Sequence, residues 1–231
     1  MGKLTGDLWV CTMNREFWLQ RWACGEIGFH QADINSYLQR YWSALEVPVG
    51  ASVLVPLCGK SRDMAWLIAQ GYAVLGVEVS RQAAAQFFSE NGLQASHEPC
   101  PPFIRYYATG IDLLVGDIFD LEPDAAIPVE AVYDRASLVA LPSTMRLRYA
   151  EHLAVLLRPG VRMLVIAFEY DQNQMQGPPF AVLESEMHDL YADTFQLEVL
   201  GAADVLDNYP RFRERGLTWL NERVYRLTRR R

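Results

Sequence analysis

The sequence predicts an α/β protein built around a mostly parallel β-sheet. Short apolar runs bounded by glycine or proline alternate along the chain with helix-length segments whose apolar residues recur every three or four positions. Apolar and polar residues do not alternate within these runs, as they would in a strand with one exposed face, so helices should cover both faces of the sheet. The 231 residues contain no linker, repeat or low-complexity tract. We therefore expect a single domain spanning residues 1–231.

The first predicted element is helical and precedes the sheet. Aromatic and leucine side chains in residues 14–45 recur at helical spacing, interrupted by two glycines. A segment before the first strand can fold over the strand tips, so residues 16–45 are predicted to form a helical cap over a site. Residues 1–15 are predicted to be a flexible arm, with Met13 as an alternative start.

A β–α–β unit is predicted next. Residues 53–55 form an apolar run between a glycine and a proline, which indicates a short buried strand. Residues 62–70 predict a helix that ends at Gly71, and residues 73–77 predict the second strand. Ser80 is expected to cap the helix that follows.

The second half repeats the alternation and ends differently. Residues 104–108 and 111–115 flank Thr109 and Gly110, which is compatible with a hairpin or with a strand after an excursion. The remaining pattern predicts a strand at residues 131–133, a helix at 143–157 and a strand at 161–168. Residues 195–200 and 217–227 are predicted to form an antiparallel edge hairpin.

Composition and charge disfavour several classes of protein. A net charge of -7 opposes binding to a phosphate backbone, so no nucleic-acid partner is expected. The longest apolar runs are strand-sized, short of the roughly 20 residues that a membrane helix needs. The four cysteines are far apart and form no C-x-x-C pair, which argues against a metal site and a disulfide framework. The N-terminus lacks a signal-peptide pattern, so we expect a cytoplasmic protein.

Two strand tips predict the kind of ligand. Ligands of doubly wound sheets bind beyond the carboxyl ends of the strands. The turn at residues 57–60 contains Gly59, and Glu78 ends the next strand 19 residues later. An acid at about this separation, ~20 residues, accepts hydrogen bonds from ribose hydroxyls. One glycine is too few for a diphosphate cradle, so S-adenosylmethionine fits better than a dinucleotide. The alternative is a turn glycine and an exposed acid with no ligand.

Two further tips carry polar side chains. Asp117 could meet an adenine amino group while Ile118 packs on the ring, or Asp117 could simply cap a helix. Arg135 suits an anionic group in a cleft because its guanidinium stays charged. Its alternative is a structural salt bridge near Asp134.

Three aromatic residues are candidates for a roof over these tips. Trp18 and Trp22 lie four residues apart on one predicted helical face, and Phe29 follows. The same stripe could instead pack on the core. Cys58, inside the turn, is expected to be a small buried residue and not a nucleophile.

Four separated stretches carry a resemblance to a known family. FWLQRWACGEIGFH, VPLCGKSRDMAWLIAQGYAVLGVEVS, YDRASLVALP and YDQNQMQGPPF occupy residues 17–30, 55–80, 133–142 and 170–180. Together they resemble the thiopurine S-methyltransferases, especially the bacterial form, over residues 16–227. The segments 94–104 and 201–216 do not follow the family pattern and could border the substrate mouth.

This resemblance implies a Rossmann-like class I methyltransferase fold that uses S-adenosylmethionine. Its sheet has seven mostly parallel strands, an antiparallel C-terminal strand and helices on both faces. The family's cofactor positions match Trp22, Leu57, Glu78 and Arg135, with Trp18, Gly59 and Ile118 as lesser candidates. Its acceptor positions match Phe29, Arg135 and Arg211, and Arg135 is the predicted catalytic residue.

The implied reaction is S-methylation of thiopurines and other aromatic or heterocyclic thiols, with selenium or tellurium compounds as further acceptors. The alternatives are a halide or small-thiol methyltransferase and a non-catalytic S-adenosylmethionine-binding module. The expected partner is a small molecule. The sequence offers no interface signal, so a monomer is expected.

Overall fold

The computed structural model describes residues 15–123 and 128–231, which contain one nine-stranded sheet flanked by helices. The strands are β1 Ser52–Val55, β2 Ala73–Glu78, β3 Ser96–Cys100, β4 Phe103–Ala108, β5 Ile111–Val115, β6 Ala131–Arg135, β7 Arg162–Glu169, β8 Phe195–Asp204 and β9 Asn221–Arg229. The α-helices are α1 Arg15–Ala23, α2 Ser36–Tyr41, α3 Arg62–Ala69, α4 Arg81–Glu90, α5 Ser143–Leu156, α6 Glu184–Tyr191 and α7 Pro210–Glu214.

The strand order is β3-β4-β5-β2-β1-β6-β7-β9-β8. The central strands β5, β2, β1, β6 and β7 are parallel, and β9 runs antiparallel between β7 and β8. The predicted seven-stranded sheet with one antiparallel C-terminal strand is therefore confirmed in the order from β5 to β8.

The other two strands extend that sheet at one edge. β4 and β5 form a hairpin about the Thr109–Gly110 turn, which decides between the two alternatives for this region. β3 then pairs antiparallel with β4. All five residues of β3 are exposed and its sequence, SHEPC, has little apolar content, so it gave no strand signal.

The last strand begins later than its apolar pattern predicts. Residues 217–227 were expected to be extended, whereas β9 starts at Asn221. Gly216 has a φ of +105°, and Leu217 and Leu220 are buried in a small cluster beneath the irregular segment. Their apolar character therefore reflects packing of a loop and not a strand face.

Each face of the sheet carries its own apolar layer. On one face, α5 and α6 contribute Tyr149 and Met187. On the other, α2, α3 and α4 contribute Leu38, Met64 and Phe87. Both faces are covered, as the apolar strands predict.

Local signals set the helix ends as expected. The Ser80 side chain accepts a hydrogen bond from the backbone N–H of Ala83 at 3.2 Å and caps α4. Gly71, with a φ of +87°, follows α3 in the left-handed conformation that glycine adopts at low cost.

The segment predicted to be a helical cap is only partly helical. α1 ends near Gly25, residues 24–35 are irregular, and α2 continues into a 3₁₀ turn at Trp42–Leu45. The Asn35 side chain caps α2 by accepting from the backbone N–H groups of Tyr37 and Leu38. The predicted start at Met13 and residues 1–14 of the predicted arm lie outside the described residues. In residues 15–123 and 128–231, none of the helices is both long and apolar enough to cross a bilayer.

Candidate active site

A cavity of about 1070 Å³ lies along the carboxyl edge of the parallel strands. Its floor consists of strand ends, and its roof consists of two segments, residues 15–36 and residues 208–215. Every residue that the sequence analysis selected lines it: Trp18, Trp22, Phe29, Leu57, Gly59, Glu78, Ile118, Arg135 and Arg211.

Glu78 is bonded directly to the turn after β1. Its Oε2 accepts the backbone N–H of Gly59 at 2.8 Å, and its Oε1 accepts that of Ser80 at 2.8 Å. The residue is 5% exposed. Burial raises the pKa of Glu78 to about 7, and the bonds from the Ser80 and Gly59 backbone oppose that rise because they favour the ionised form. The two residues that the sequence analysis paired by spacing are thus one hydrogen-bonded unit.

The turn itself has an unusual backbone. Leu57 and Gly59 have φ values of +46° and +53°, in the left-handed region. A Cβ on Gly59 would lie 3.2 Å from Cζ2 of Trp22, so glycine lets the indole pack on the turn. Cys58 is buried, as predicted, and burial raises the pKa of its thiol.

The tip after β5 has the capping role considered for Asp117. The Asp117 side chain caps a 3₁₀ turn, Ile118–Asp120, by accepting the backbone N–H of Phe119 at 3.0 Å. Asp117 and Ile118 also line the cavity. The capping role is therefore present, and it leaves the second carboxylate oxygen of Asp117 available.

Arg135 lies at the end of β6 beside a buried acid that the sequence analysis did not select. Its Nη1 is 3.8 Å from Oδ2 of Asp63, and its side chain is 13% exposed. The alternative for Arg135 was a structural salt bridge near Asp134. Asp134 instead accepts hydrogen bonds from the Tyr149 hydroxyl and the backbone N–H of Leu138.

Asp63 connects the roof to the floor. The residue is 1% exposed; Oδ1 accepts the backbone N–H of Asn35 at 2.8 Å and Oδ2 accepts the Tyr133 hydroxyl at 2.9 Å. Asp63 occupies the first turn of α3, where acids are common for helix-dipole reasons. That ordinary setting explains why the sequence pattern gave no sign of its wider role.

The aromatic roof is assembled by edge contacts. The ring of Phe29 lies 5.7 Å from that of Trp18 and 5.5 Å from that of Trp22, both near perpendicular. Arg211 reaches the same segment from α7: a Cβ on Gly28 would lie 2.5 Å from its Nη1. Burial lowers the pKa of Arg211.

A second acid faces the cavity at its other end. Glu222, on β9, is 6% exposed, and its Oε1 accepts the Tyr209 hydroxyl at 3.0 Å. Gln31 donates to the Tyr209 oxygen at 3.3 Å. The Phe168 ring packs edge-on against Tyr209 at 5.4 Å. Sequence reasoning missed Tyr209 and Glu222 because one lies in the unmatched loop and the other resembles an ordinary edge-strand residue.

The residues fit S-adenosylmethionine. Each Glu78 oxygen accepts one backbone N–H and keeps a lone pair for a ribose hydroxyl. The 57–60 turn has one glycine, which suits a ligand without a diphosphate. Among the described residues, no group of three or more His, Cys, Asp or Glu side chains is placed to hold a metal ion.

Comparison with known proteins shows the family of the chain. The family model for thiopurine S-methyltransferase (TPMT) matches residues 13–230. A thiopurine S-methyltransferase of Nitrosospira multiformis is 50% identical over 215 residues, which cover 93% of this chain and 98% of the relative. Relatives with the same name from Bordetella petrii and Pseudomonas paraeruginosa are each 48% identical over 217 residues; those cover 94% of this chain and 99% and 100% of the relatives.

Solved structures share the fold. The Burkholderia thailandensis 1,6-didemethyltoxoflavin-N1-methyltransferase, solved with its substrate and S-adenosylhomocysteine, superposes with a TM-score of 0.65 at 17% identity and covers 100% of this chain and 93% of its own. An S-adenosylmethionine-dependent methyltransferase from Methanosarcina mazei gives a TM-score of 0.59 at 14% identity, with coverage of 86% and 100%. The sequence matches and the shared sheet together show that the chain belongs to the thiopurine S-methyltransferase family of S-adenosylmethionine-dependent enzymes.

Proposed function

We propose that the chain methylates the sulfur of aromatic and heterocyclic thiols, thiopurines among them, in the cavity at the carboxyl edge of its sheet. The observation that carries this proposal is the hydrogen-bonded pair of Gly59 and Glu78, which presents a carboxylate for ribose hydroxyls without a diphosphate cradle. Relatives sharing about half the sequence bear the name of this activity.

The cofactor end is assigned to the floor formed by β1, β2 and β5. Glu78 accepts from the ribose hydroxyls, Leu57 and Gly59 bring the backbone close to the ligand, and Ile118 packs on the adenine. Trp18 and Trp22 cover this part from the roof. When bound, the sulfonium cofactor supplies a methyl group that is already activated by its positive charge. The protein therefore contributes by aligning the reactants and excluding water.

The acceptor end is assigned to Phe29, Arg135 and Arg211. The Phe29 ring gives an aromatic acceptor an apolar face, since it stands perpendicular to both tryptophans. Arg135 is largely buried, and its guanidinium lies 3.8 Å from the nearest Asp63 oxygen, so its charge can also act on a nearby anion. We assign Arg135 the catalytic role of favouring the thiolate over the thiol, with Arg211 in support. Selenium and tellurium acceptors remain a further prediction.

The test is a methyl-transfer assay with labelled S-adenosylmethionine and three acceptors: 6-mercaptopurine, iodide and selenite. We expect transfer to the thiopurine, and weaker transfer in Glu78→Ala through poorer cofactor binding. Transfer to iodide alone would favour a halide methyltransferase. Cofactor binding without transfer to any acceptor would contradict the proposal and favour a binding module.

The role of the arginines has its own test. Replacing both Arg135 and Arg211 by Met should lower the rate at neutral pH and move the pH profile toward higher pH, because the thiolate loses its positive neighbours. An unchanged rate and profile in the double variant would remove this role.

We also propose that the chain acts as a cytoplasmic monomer on a small molecule. Among the described residues, the floor and the roof of the cavity both come from this chain, which suits a monomer. Cys24, Cys58 and Cys100 are free thiols, which suits a reducing compartment. The net charge of -7 favours a small acceptor over nucleic acid. Light scattering in solution checks the monomer: a mass near 26.3 kDa is expected.

A further inference from the structure

The cavity holds a buried carboxylate at each end. Glu78 lies on β2 and Glu222 on β9, four positions apart in the strand order. At about 4.8 Å between neighbouring strands, they are separated by about 19 Å across the sheet. Glu222 is paired in register with Phe168 of β7 and lies on the side of Arg135 away from Glu78. It therefore belongs to the acceptor end.

Ionisable groups surround Glu222 on several sides. Burial raises its pKa, while the hydrogen bond from Tyr209 and the charge of Arg135 oppose that rise. From α2, Tyr37 is close enough to interact: burial raises the pKa of Tyr37 and the Glu222 charge raises it further. The same charge contributes to the raised pKa of Tyr133, after burial and Asp63. The largely buried carboxylate thus lies among groups whose charges and hydrogen bonds act on its ionisation.

We propose that Glu222 accepts the proton that the acceptor loses on methylation, which makes it the general base of the reaction proposed above. The acceptor's S–H, or the ring N–H of its thione form, gives its proton to the Glu222 carboxylate. The electron pair left on the acceptor forms the new S–CH₃ bond, and the pair of the breaking C–S bond passes to the departing sulfonium sulfur, which becomes neutral. Glu222 returns its proton to solvent through the cavity mouth.

The other ionisable side chains near the acceptor end suit this role less well. Arg135 and Arg211 end in guanidinium groups, which donate hydrogen bonds and accept none. The Tyr209 hydroxyl already donates to Glu222, so it can pass a proton on but does not retain one. His30 lines the cavity, but burial and the charges of Lys60, Arg135 and Arg62 lower its pKa, with Glu90 in opposition, so the protonated form that a base must adopt is disfavoured.

The decisive variant is Glu222→Gln, which keeps an oxygen to accept from Tyr209. At a pH below the acceptor's own pKa, kcat/KM for 6-mercaptopurine should fall about a hundredfold, the lower range for a general base. The loss should shrink as the pH rises and the acceptor ionises unaided. Affinity for S-adenosylhomocysteine, measured by calorimetry, should stay within about twofold, which shows that the variant folds and that the cofactor end is intact.

An acceptor that is already ionised provides the internal control. For 5-thio-2-nitrobenzoate, an aromatic thiolate at neutral pH, Glu222→Gln should change the rate little. Equal losses with both acceptors at all pH values would overturn the proposal and leave Glu222 a structural role. Failure of the wild-type protein to methylate either thiol would instead refute the proposed function, so the two failures are distinguishable.

Two more variants sharpen the assignment. Tyr209→Phe removes a hydrogen bond that favours ionised Glu222, so the acid limb of the pH profile of kcat should shift to higher pH.

Glu169→Gln is the matched control: Glu169 is a buried carboxylate on β7 that pairs with Arg223 outside the cavity. It should lower stability and leave the pH profile unchanged. A shifted profile in Glu169→Gln would show that the effect is not specific to Glu222.

Discussion

The two ends of the cavity are built in different ways. The proposed cofactor end comes from the tips of three adjacent strands, β1, β2 and β5, and contains Leu57, Gly59, Glu78 and Ile118, all within 62 residues of sequence. Its acid, Glu78, accepts hydrogen bonds from two backbone N–H groups. The proposed acceptor end combines Phe29, Arg135, Arg211 and Glu222, which come from four separate segments and all line the cavity. The cofactor end is therefore fixed by the β–α–β backbone, while the acceptor end depends on the identity of individual side chains.

The largest effect is expected from breaking the link between the roof and the floor of the cavity. Asp63→Ala removes the acceptor for the Asn35 N–H and the Tyr133 hydroxyl and leaves Arg135 without its counter-charge. The free energy of unfolding should fall by about 3–5 kcal/mol, as when one partner of a buried pair is removed. Urea denaturation measures this. Asp63→Asn, which keeps one accepting oxygen, should lose less, and a loss below about 1 kcal/mol in Asp63→Ala would contradict the linking role.

The pH dependence of stability tests the buried carboxyl group of Glu78. The pKa of Glu78 is about 7 in the fold, above its ordinary value, so its contribution to the free energy of unfolding is fully present below the unfolded pKa and is lost as pH rises through about 7. The loss amounts to about 3 kcal/mol at most. The stability of the wild-type protein minus that of Glu78→Gln should decline from pH 5 to pH 8. A flat difference would refute the raised pKa.

Cofactor affinity gives the next largest effect. Glu78→Ala leaves the buried N–H groups of Gly59 and Ser80 without their acceptor and removes the proposed ribose contact. Affinity for S-adenosylhomocysteine should fall ten- to a hundredfold, about 1.4–2.7 kcal/mol. Glu90→Ala, which removes an exposed acid paired with Lys60, is the control and should bind normally. Equal affinities in wild type and Glu78→Ala would place the cofactor elsewhere.

The sequence predicted these two ends unequally. The Gly59 to Glu78 spacing predicted the cofactor end because a β–α–β unit has a nearly fixed length, and the strands β1, β2 and β4 to β7 follow from apolar runs. Asp63 and Glu222 were missed because each occupies an ordinary position, a first helical turn and the start of the C-terminal strand, and gains its role from a partner in another element. The family resemblance supplied Arg211 and assigned Phe29, already a candidate for the aromatic roof, to the acceptor; no local pattern would have joined the two.

The smallest effect is expected where the two roof segments touch. Gly28→Ala would push the Arg211 guanidinium aside, because the new Cβ would lie 2.5 Å from its Nη1. The KM for the thiol should rise severalfold, with stability changed by less than about 1 kcal/mol and S-adenosylhomocysteine binding unchanged. In an Arg211→Met background the substitution should have a smaller effect. If both backgrounds respond alike, the contact with Arg211 does not set the acceptor geometry.

The bond between Gly59 and Glu78 has a consequence for how the enzyme could diversify. It forms when the protein folds, so the carboxylate is oriented before any ligand arrives and needs no help from the roof. Residues 24–34 and 206–216 can therefore change, by evolution or by design, without rebuilding cofactor recognition, provided Asp63 keeps its hold on Asn35. On the proposed assignment the chain is in this sense modular: one methyl-donor platform can serve different acceptor-binding segments.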